Sequence, residues 1–143
     1  CAPTCSLKLQ HVLIPVDFSD CSYQAIDLVK SFGKQVNNLT LLTIIEGAKS
    51  KADLYAQIKE VETKLEIARV DFQHLGINVD IRIDQGIPSH HILETAENTD
   101  STLIVIPKRG KGTISELIIG STAQSVTQRS KIPVLVLPCK NNQ

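Results

Sequence analysis

Val12-Leu13-Ile14-Pro15-Val16, followed directly by Asp17-Phe18-Ser19-Asp20, decides how this chain is read. The apolar run is too short for a helix, and the polar turn after it is rich in capping side chains, so a buried strand feeds a helix. That helix carries Ala25, Ile26, Leu28, Val29 and Phe32 on one side and stops at Gly33. Leu39-Thr40-Leu41-Leu42-Thr43-Ile44-Ile45 is a second strand-like run. From Ser50 to Gly76, Leu54, Ile58, Val61, Leu65, Ala68, Phe72 and Leu75 recur at spacings of four and three. Such a stripe fits a coiled-coil seam or a helix lying on a sheet, and the flanking strands favour the sheet.

Beyond that helix, Ile77, Val79, Ile81 and Ile83 alternate strictly with Asn78, Asp80, Arg82 and Asp84. One face of this strand is dry and the other wet, which predicts a place at the edge of the sheet. A helix from about Ser89 to Glu97, a strand at Leu103-Ile104-Val105-Ile106, a helix after Gly120 and a last strand Val134-Leu135-Val136-Leu137 complete the pattern. Strands separated by helices throughout predict parallel pairing with right-handed crossovers. The fold class is α/β, an open doubly wound parallel five-stranded sheet with helices on both faces.

The chain has 143 residues, of which 42% are hydrophobic, and its fifteen Lys and Arg balance fifteen Asp and Glu. A neutral chain of this size can build one core without a metal or a disulfide framework, and it lacks the cationic surplus of a protein that binds nucleic acid through its overall field. Aromatics at 3% and no Trp leave little for a stacking platform. No apolar run is long enough for a membrane span and no signal peptide is visible, so the expected setting is the cytoplasm without membrane insertion. Cys1 and Cys5 read as tail thiols with too few companions for a metal, and Cys21 and Cys139 as reduced, small apolar side chains. The expected organisation is a flexible tail over 1–8, a domain over 9–138 and a tail over 139–143. There is no Met even at position 1, so a domain cut from a larger tandem or transporter-linked protein is also consistent.

In an open parallel sheet, ligands bind outside the carboxyl ends of the strands. Two segments project there: Pro15-Val16-Asp17, and Pro107-Lys108-Arg109-Gly110-Lys111-Gly112 leading to Gly120-Ser121-Thr122. Asp17 suits either a ribose diol or the cap of the following helix. The glycines let backbone approach a phosphate, and Gly120-Ser121-Thr122 opens a helix with N–H groups and hydroxyls. Ser121-Thr122-Ala123-Gln124 equally fits a capping box, and Lys108, Arg109 and Lys111 a solvated loop. Neighbouring His90 and His91 point apart on a helix and read as its solvated start. No nucleophile–base pair is visible, so catalysis is not expected from these residues.

With these residues in place the chain resembles the universal stress protein domain. Nucleotide-binding members of that family carry Gly-x-x-Gly, nine residues, then Gly-Ser or Gly-Thr. Here Gly110, the nine residues Lys111 to Ile119, and Gly120-Ser121 match, as do Pro15-Val16-Asp17-Phe18-Ser19, Gly86-Ile87-Pro88 and Ile132-Pro133-Val134-Leu135-Val136. The resemblance implies strand order 3-2-1-4-5, a dimer, and ATP binding, with Mg²⁺ accompanying the triphosphate. It places Pro15 and Asp17 by adenine and ribose, Ile44 with its backbone on adenine, and Ile106 beside base and ribose. Gly110, Gly120, Ser121 and Thr122 would hold phosphates, with Arg109 adding charge. It also puts the last strand, Val134 to Leu137, at an apolar edge where a second copy would pair. Pro107 stands where the family has its first glycine and removes an N–H, which predicts weaker affinity or an abandoned site serving as a nucleotide-free scaffold. Thr102 replaces an acidic residue often found there, with little effect expected. In the regulatory reading, nucleotide orders the loop from Pro107 to Ile119.

Overall fold

The computed structural model describes residues 8–110 and 119–139. Its elements run β1 (His11–Pro15), α1 (Asp20–Phe32), a 3₁₀ turn (Gly33–Gln35), β2 (Asn38–Ile45), α2 (Lys51–Gln73), β3 (Asn78–Gln85), α3 (Pro88–Asn98), β4 (Leu103–Pro107), α4 (Ser121–Arg129) and β5 (Val134–Leu137). All strand pairs are parallel and the order is β3-β2-β1-β4-β5, as the resemblance implies.

The period-two alternation of each strand divides the core into two layers. Val12, Ile14, Leu39, Leu41, Leu103 and Val105 face one side, where Ala25, Ile26 and Val29 of α1 and Leu65 and Phe72 of α2 cover them. Leu13, Leu42, Ile104 and Ile106 face the other, against Ile92 of α3 and Ala123 and Val126 of α4. Leu13, Ile14, Leu103 and Ile104 have no exposed surface. Truncating any one of them to Ala should cost about 2–5 kcal/mol. The long apolar stripe of α2 is fully dry only at Leu65 and Phe72.

Helix starts follow the local chemistry. Ser19 caps α1 by accepting from the Ser22 N–H, and Ser50 caps α2 by accepting from Asp53. Ser121 departs from expectation. It is the first helical residue of α4, and Gly120, extended at φ −64° and ψ 152°, takes the cap position with no side-chain bond. The reason lies outside the helix: the Gly120 N–H donates to the Lys108 carbonyl at 2.7 Å, which fixes where the turn ends.

Two further expectations are overturned. Cys21 and Cys139 form a disulfide across 118 residues, with Cα atoms 5.3 Å apart. The sequence hides this pair, since α1 leaves the end of β1, packs over β4 and so brings its first turn to the point where the chain leaves β5. His91 is not solvated. Its ring lies on Gly86, where a Cβ would be 2.7 Å from Nε2, and its Nδ1 is 3.5 Å from an Asp84 carboxylate oxygen. Gly86 at φ +138° is therefore needed both for its backbone and for the space. His90 does stay exposed, near Glu94. Thr102 has its own task at the far end of the sheet, where it donates to Lys8 or His11 carbonyls and accepts from the His11 N–H.

Candidate functional site

The sheet opens where its strand order reverses. β1 keeps its bonds to β2 through Val16, whose N–H donates to Leu42, but its register with β4 covers only Val12↔Leu103 and Leu13↔Ile104. Past those pairs β1 and β4 diverge, the geometry of a topological switch point. A cleft of about 460 Å³ sits there, within the range of small-molecule sites, roughly 300–1,000 Å³.

The nine residues that the resemblance assigns to a nucleotide line this cleft, whereas Lys108 is not among its lining residues. Pro15 and Asp17 come from the end of β1, Ile44 from β2, and Ile106 from β4. Arg109 and Gly110 follow β4, while Gly120, Ser121 and Thr122 bring the start of α4. Lys111 lies outside the described residues, as does most of the loop expected to order on binding. Cys1 and Cys5 lie outside them too.

Asp17 combines both roles left open for it. Its Oδ1 accepts from the Ser19 N–H and hydroxyl, and so holds the residue that caps α1. Its Oδ2 faces the Gly110 backbone so closely that a Cβ there would lie 2.5 Å away. Gly120 is confined likewise, since a Cβ would lie 3.3 Å from both the Arg109 Cα and the Lys108 carbonyl oxygen. Both glycines thus sit at close approaches, and together they bring the backbone after β4 against the start of α4. With a glycine at its cap, α4 aims the N–H groups of its first turn into the cleft, next to the Ser121 and Thr122 hydroxyls.

Arg109 is only 3% exposed and its Nη2 donates to the Cys139 carbonyl at 2.9 Å. It is no solvated loop cation. The residue lines the cleft while one of its guanidinium donors ties the segment after β5. Pro107 is buried at the end of β4, paired with Leu137. The N–H groups of Ile104 and Lys108 point to β5, so by alternation the Pro107 nitrogen points toward β1 and the opening. Proline there breaks no ladder bond and leaves one donor fewer in the cleft.

Several lining residues escaped sequence reasoning. Phe18 has φ +62°, rare for a bulky residue and costing about 1–3 kcal/mol. Asp17 and Ser19 hold it from both sides, and Lys64 of α2 sits 5.0 Å above its ring. Thr43 interrupts an apolar strand, a signal that was legible, and its hydroxyl donates to the Val16 carbonyl at 2.8 Å. Glu46 after β2 and Gln57 and Val61 of α2 also line the cleft, which no local pattern reveals.

The cleft and sheet order define an α/β protein with a crevice at its switch point. Residues 8–138 match the Universal stress protein family, and the chain belongs to that family. It is 26% identical to Universal stress protein MJ0577 of Methanocaldococcus jannaschii, over 96% of this chain and 99% of that one. The solved structure of MJ0577 superposes with a TM-score of 0.82 over 94% of this chain and 99% of the other, at 29% identity. Universal stress protein Sll1654 of Synechocystis is 31% identical over 92% of this chain and 87% of its own length. A universal stress protein crystallised in complex with cAMP is similar at 26% identity and a TM-score of 0.63, covering 90% of this chain and 95% of that one. Among the described residues no helix is long and apolar enough to cross a membrane.

Proposed function

We propose that this chain is a nucleotide-binding regulatory module of the universal stress protein type, taking ATP in the cleft between the ends of β1 and β4. The observation that carries the reading is the meeting of Gly110, Gly120 and the uncapped start of α4 on the same opening as Asp17. Free first-turn N–H groups and the positive end of the helix favour a phosphate. Pro15, Ile44 and Ile106 offer apolar surface and backbone to a base, Asp17 offers a carboxylate to ribose hydroxyls, and Arg109 adds positive charge. The relative crystallised with cAMP supports a nucleotide as the ligand class. Mg²⁺ would ride on the phosphates and water, the usual mode for that ion. The module is proposed to act in the cytoplasm and to signal by binding, without covalent chemistry of its own.

The test is isothermal titration of the full chain with ATP and Mg²⁺, together with Ser121→Asp. Ser121 is exposed and is the first residue of α4, where a carboxylate favours the helix but repels a phosphate. Wild type should bind, and the variant should bind at least about tenfold more weakly, 1.4 kcal/mol, at unchanged melting temperature. No heat from wild type at millimolar ATP sinks the reading. Pro107 specifically favours the other outcome, a nucleotide-free scaffold, because it deletes a donor pointing into the opening.

Self-association through β5 belongs to either outcome. The carbonyls of Pro133 and Leu137 accept from β4, so Val134 and Val136 present their N–H and C=O groups outward. All four residues of β5 are apolar and half-buried. A homodimer pairing along this edge is the proposed assembly, checked by sedimentation at micromolar concentration.

A further inference from the structure

The Cys21–Cys139 bond is more than a staple at the end of the chain. It closes a ring of contacts along one side of the cleft. Cys21 lies in the first turn of α1, two residues after Ser19, which Asp17 holds in place. Asp17 faces Gly110, and Arg109 beside it donates to the carbonyl of Cys139 itself. Cys139 follows Leu137, whose carbonyl accepts from Lys108 at 2.8 Å. The disulfide is the one covalent member of this ring, and it joins the start of α1 to the free end of β5.

We infer that the Cys21–Cys139 disulfide is a reversible redox clasp, whose reduction by a low-molecular-weight thiol such as glutathione releases the end of β5 and, with it, Arg109 from the rim of the cleft. The two sulfurs differ in a way that sets the order of events. Cys21 is 8% exposed and Cys139 is half-buried beside exposed Pro138, so the incoming thiolate attacks the Cys139 sulfur. A Cys139–glutathione mixed disulfide forms while the Cys21 sulfur leaves with the electron pair as a thiolate and takes up a proton. The amino-terminal end of α1 favours that thiolate, with neighbouring Asp20 acting against it. A second glutathione thiolate attacks the glutathione sulfur of the mixed disulfide. Cys139 leaves as a thiolate and is protonated, and oxidised glutathione departs. Two thiols are oxidised and one protein disulfide is reduced. In a reducing compartment a surviving protein disulfide is typically of this exchanging kind.

The experiment contains no nucleotide, so it succeeds or fails independently of the reading of the cleft. The full chain carrying Cys1→Ser and Cys5→Ser, which removes competing thiols, is equilibrated in buffers of varied reduced and oxidised glutathione. Alkylation and mass spectrometry then read Cys21 and Cys139, and hydrogen exchange reads 105–110, 134–139 and, for comparison, β3. The pair should open and close reversibly within the cytosolic range of the couple. Exchange should rise about tenfold or more around Arg109 and β5 beyond any rise that β3 shows. A second variant, Cys21→Ser with Cys139→Ser, should reproduce the reduced pattern under oxidising buffer. A bond that stays closed throughout that range overturns the clasp. So does a bond that opens with no change around Arg109, or one whose opening loosens β3 and β5 alike.

Discussion

The sheet ends in two edges that solve the same problem differently. β3 has eight residues, and its outer positions carry Asp80, Arg82 and Asp84, with Arg82 paired to Asp80. One face is dry and the other wet, so charge guards the edge. β5 has four residues, and both of its faces are apolar. Leu135 and Leu137 pack on one core layer and Val134 and Val136 on the other. This edge carries no charged side chain, and a disulfide anchors the segment beyond it. One edge is kept apart by its own side chains, whereas the other depends on a covalent tie and stands open to a partner. The link from that edge to the cleft is Arg109, which lines the cleft and donates to the Cys139 carbonyl after β5.

The largest break in the comparison is removal of the tie. Cys21→Ser with Cys139→Ser should lower stability by about 2–5 kcal/mol, because the bond closes a long loop in the unfolded chain. Urea unfolding checks it, with protection at β5 expected to fall further than the global loss that β3 shares. Next comes the open edge. Val136→Pro deletes an outward N–H without touching the β4 ladder, and should weaken self-association by at least about tenfold in sedimentation. Conversely, Asp80→Val with Arg82→Val gives β3 two apolar faces like those of β5. New self-association or aggregation by light scattering is the expected result, and an unchanged monomer–dimer balance would show that charge is not what guards this edge.

The smallest effect is a pH dependence set near β3. Burial lowers the His11 pKa from 6.5, while Asp80, the Thr99 backbone and Asp100 raise it and Arg82 lowers it further. The Thr40 hydroxyl lies 2.9 Å from its Nε2. Above about pH 6.5 the ring is neutral in both folded and unfolded chains, and stability is at its full value. As pH falls below that, the unfolded chain takes up a proton that the folded one resists, and stability declines until pH passes the folded value. His11→Asn should flatten this decline in thermal melts between neutral and mildly acidic pH. Asp80→Asn, which removes an attraction for the charged ring, should steepen it.

Much of this was legible in the chain. The alternation in β3 placed it at an edge because side chains of a strand point to opposite faces, and the order of strands and helices implied the parallel sheet. Asp17, Gly110, Gly120 and Ser121 were legible as cleft residues because turns after strands of such a sheet gather at one end. Ser121 as a cap was misread, since the Gly120 bond to Lys108 comes from a segment distant in sequence. Arg109 was read as solvated charge or phosphate partner, and its burial against Cys139 depends on where β5 ends.

The sequence by itself determined the elements, their parallel arrangement and the end of the sheet at which a ligand would sit, because these follow from period, capping chemistry and chain direction. Only the tertiary structure decided the Cys21–Cys139 bond, the place of Gln57 and Val61 in the cleft, the positive φ of Phe18 and the seat of His91 on Gly86. Each depends on distances between segments far apart along the chain, and local propensity carries no term for those distances.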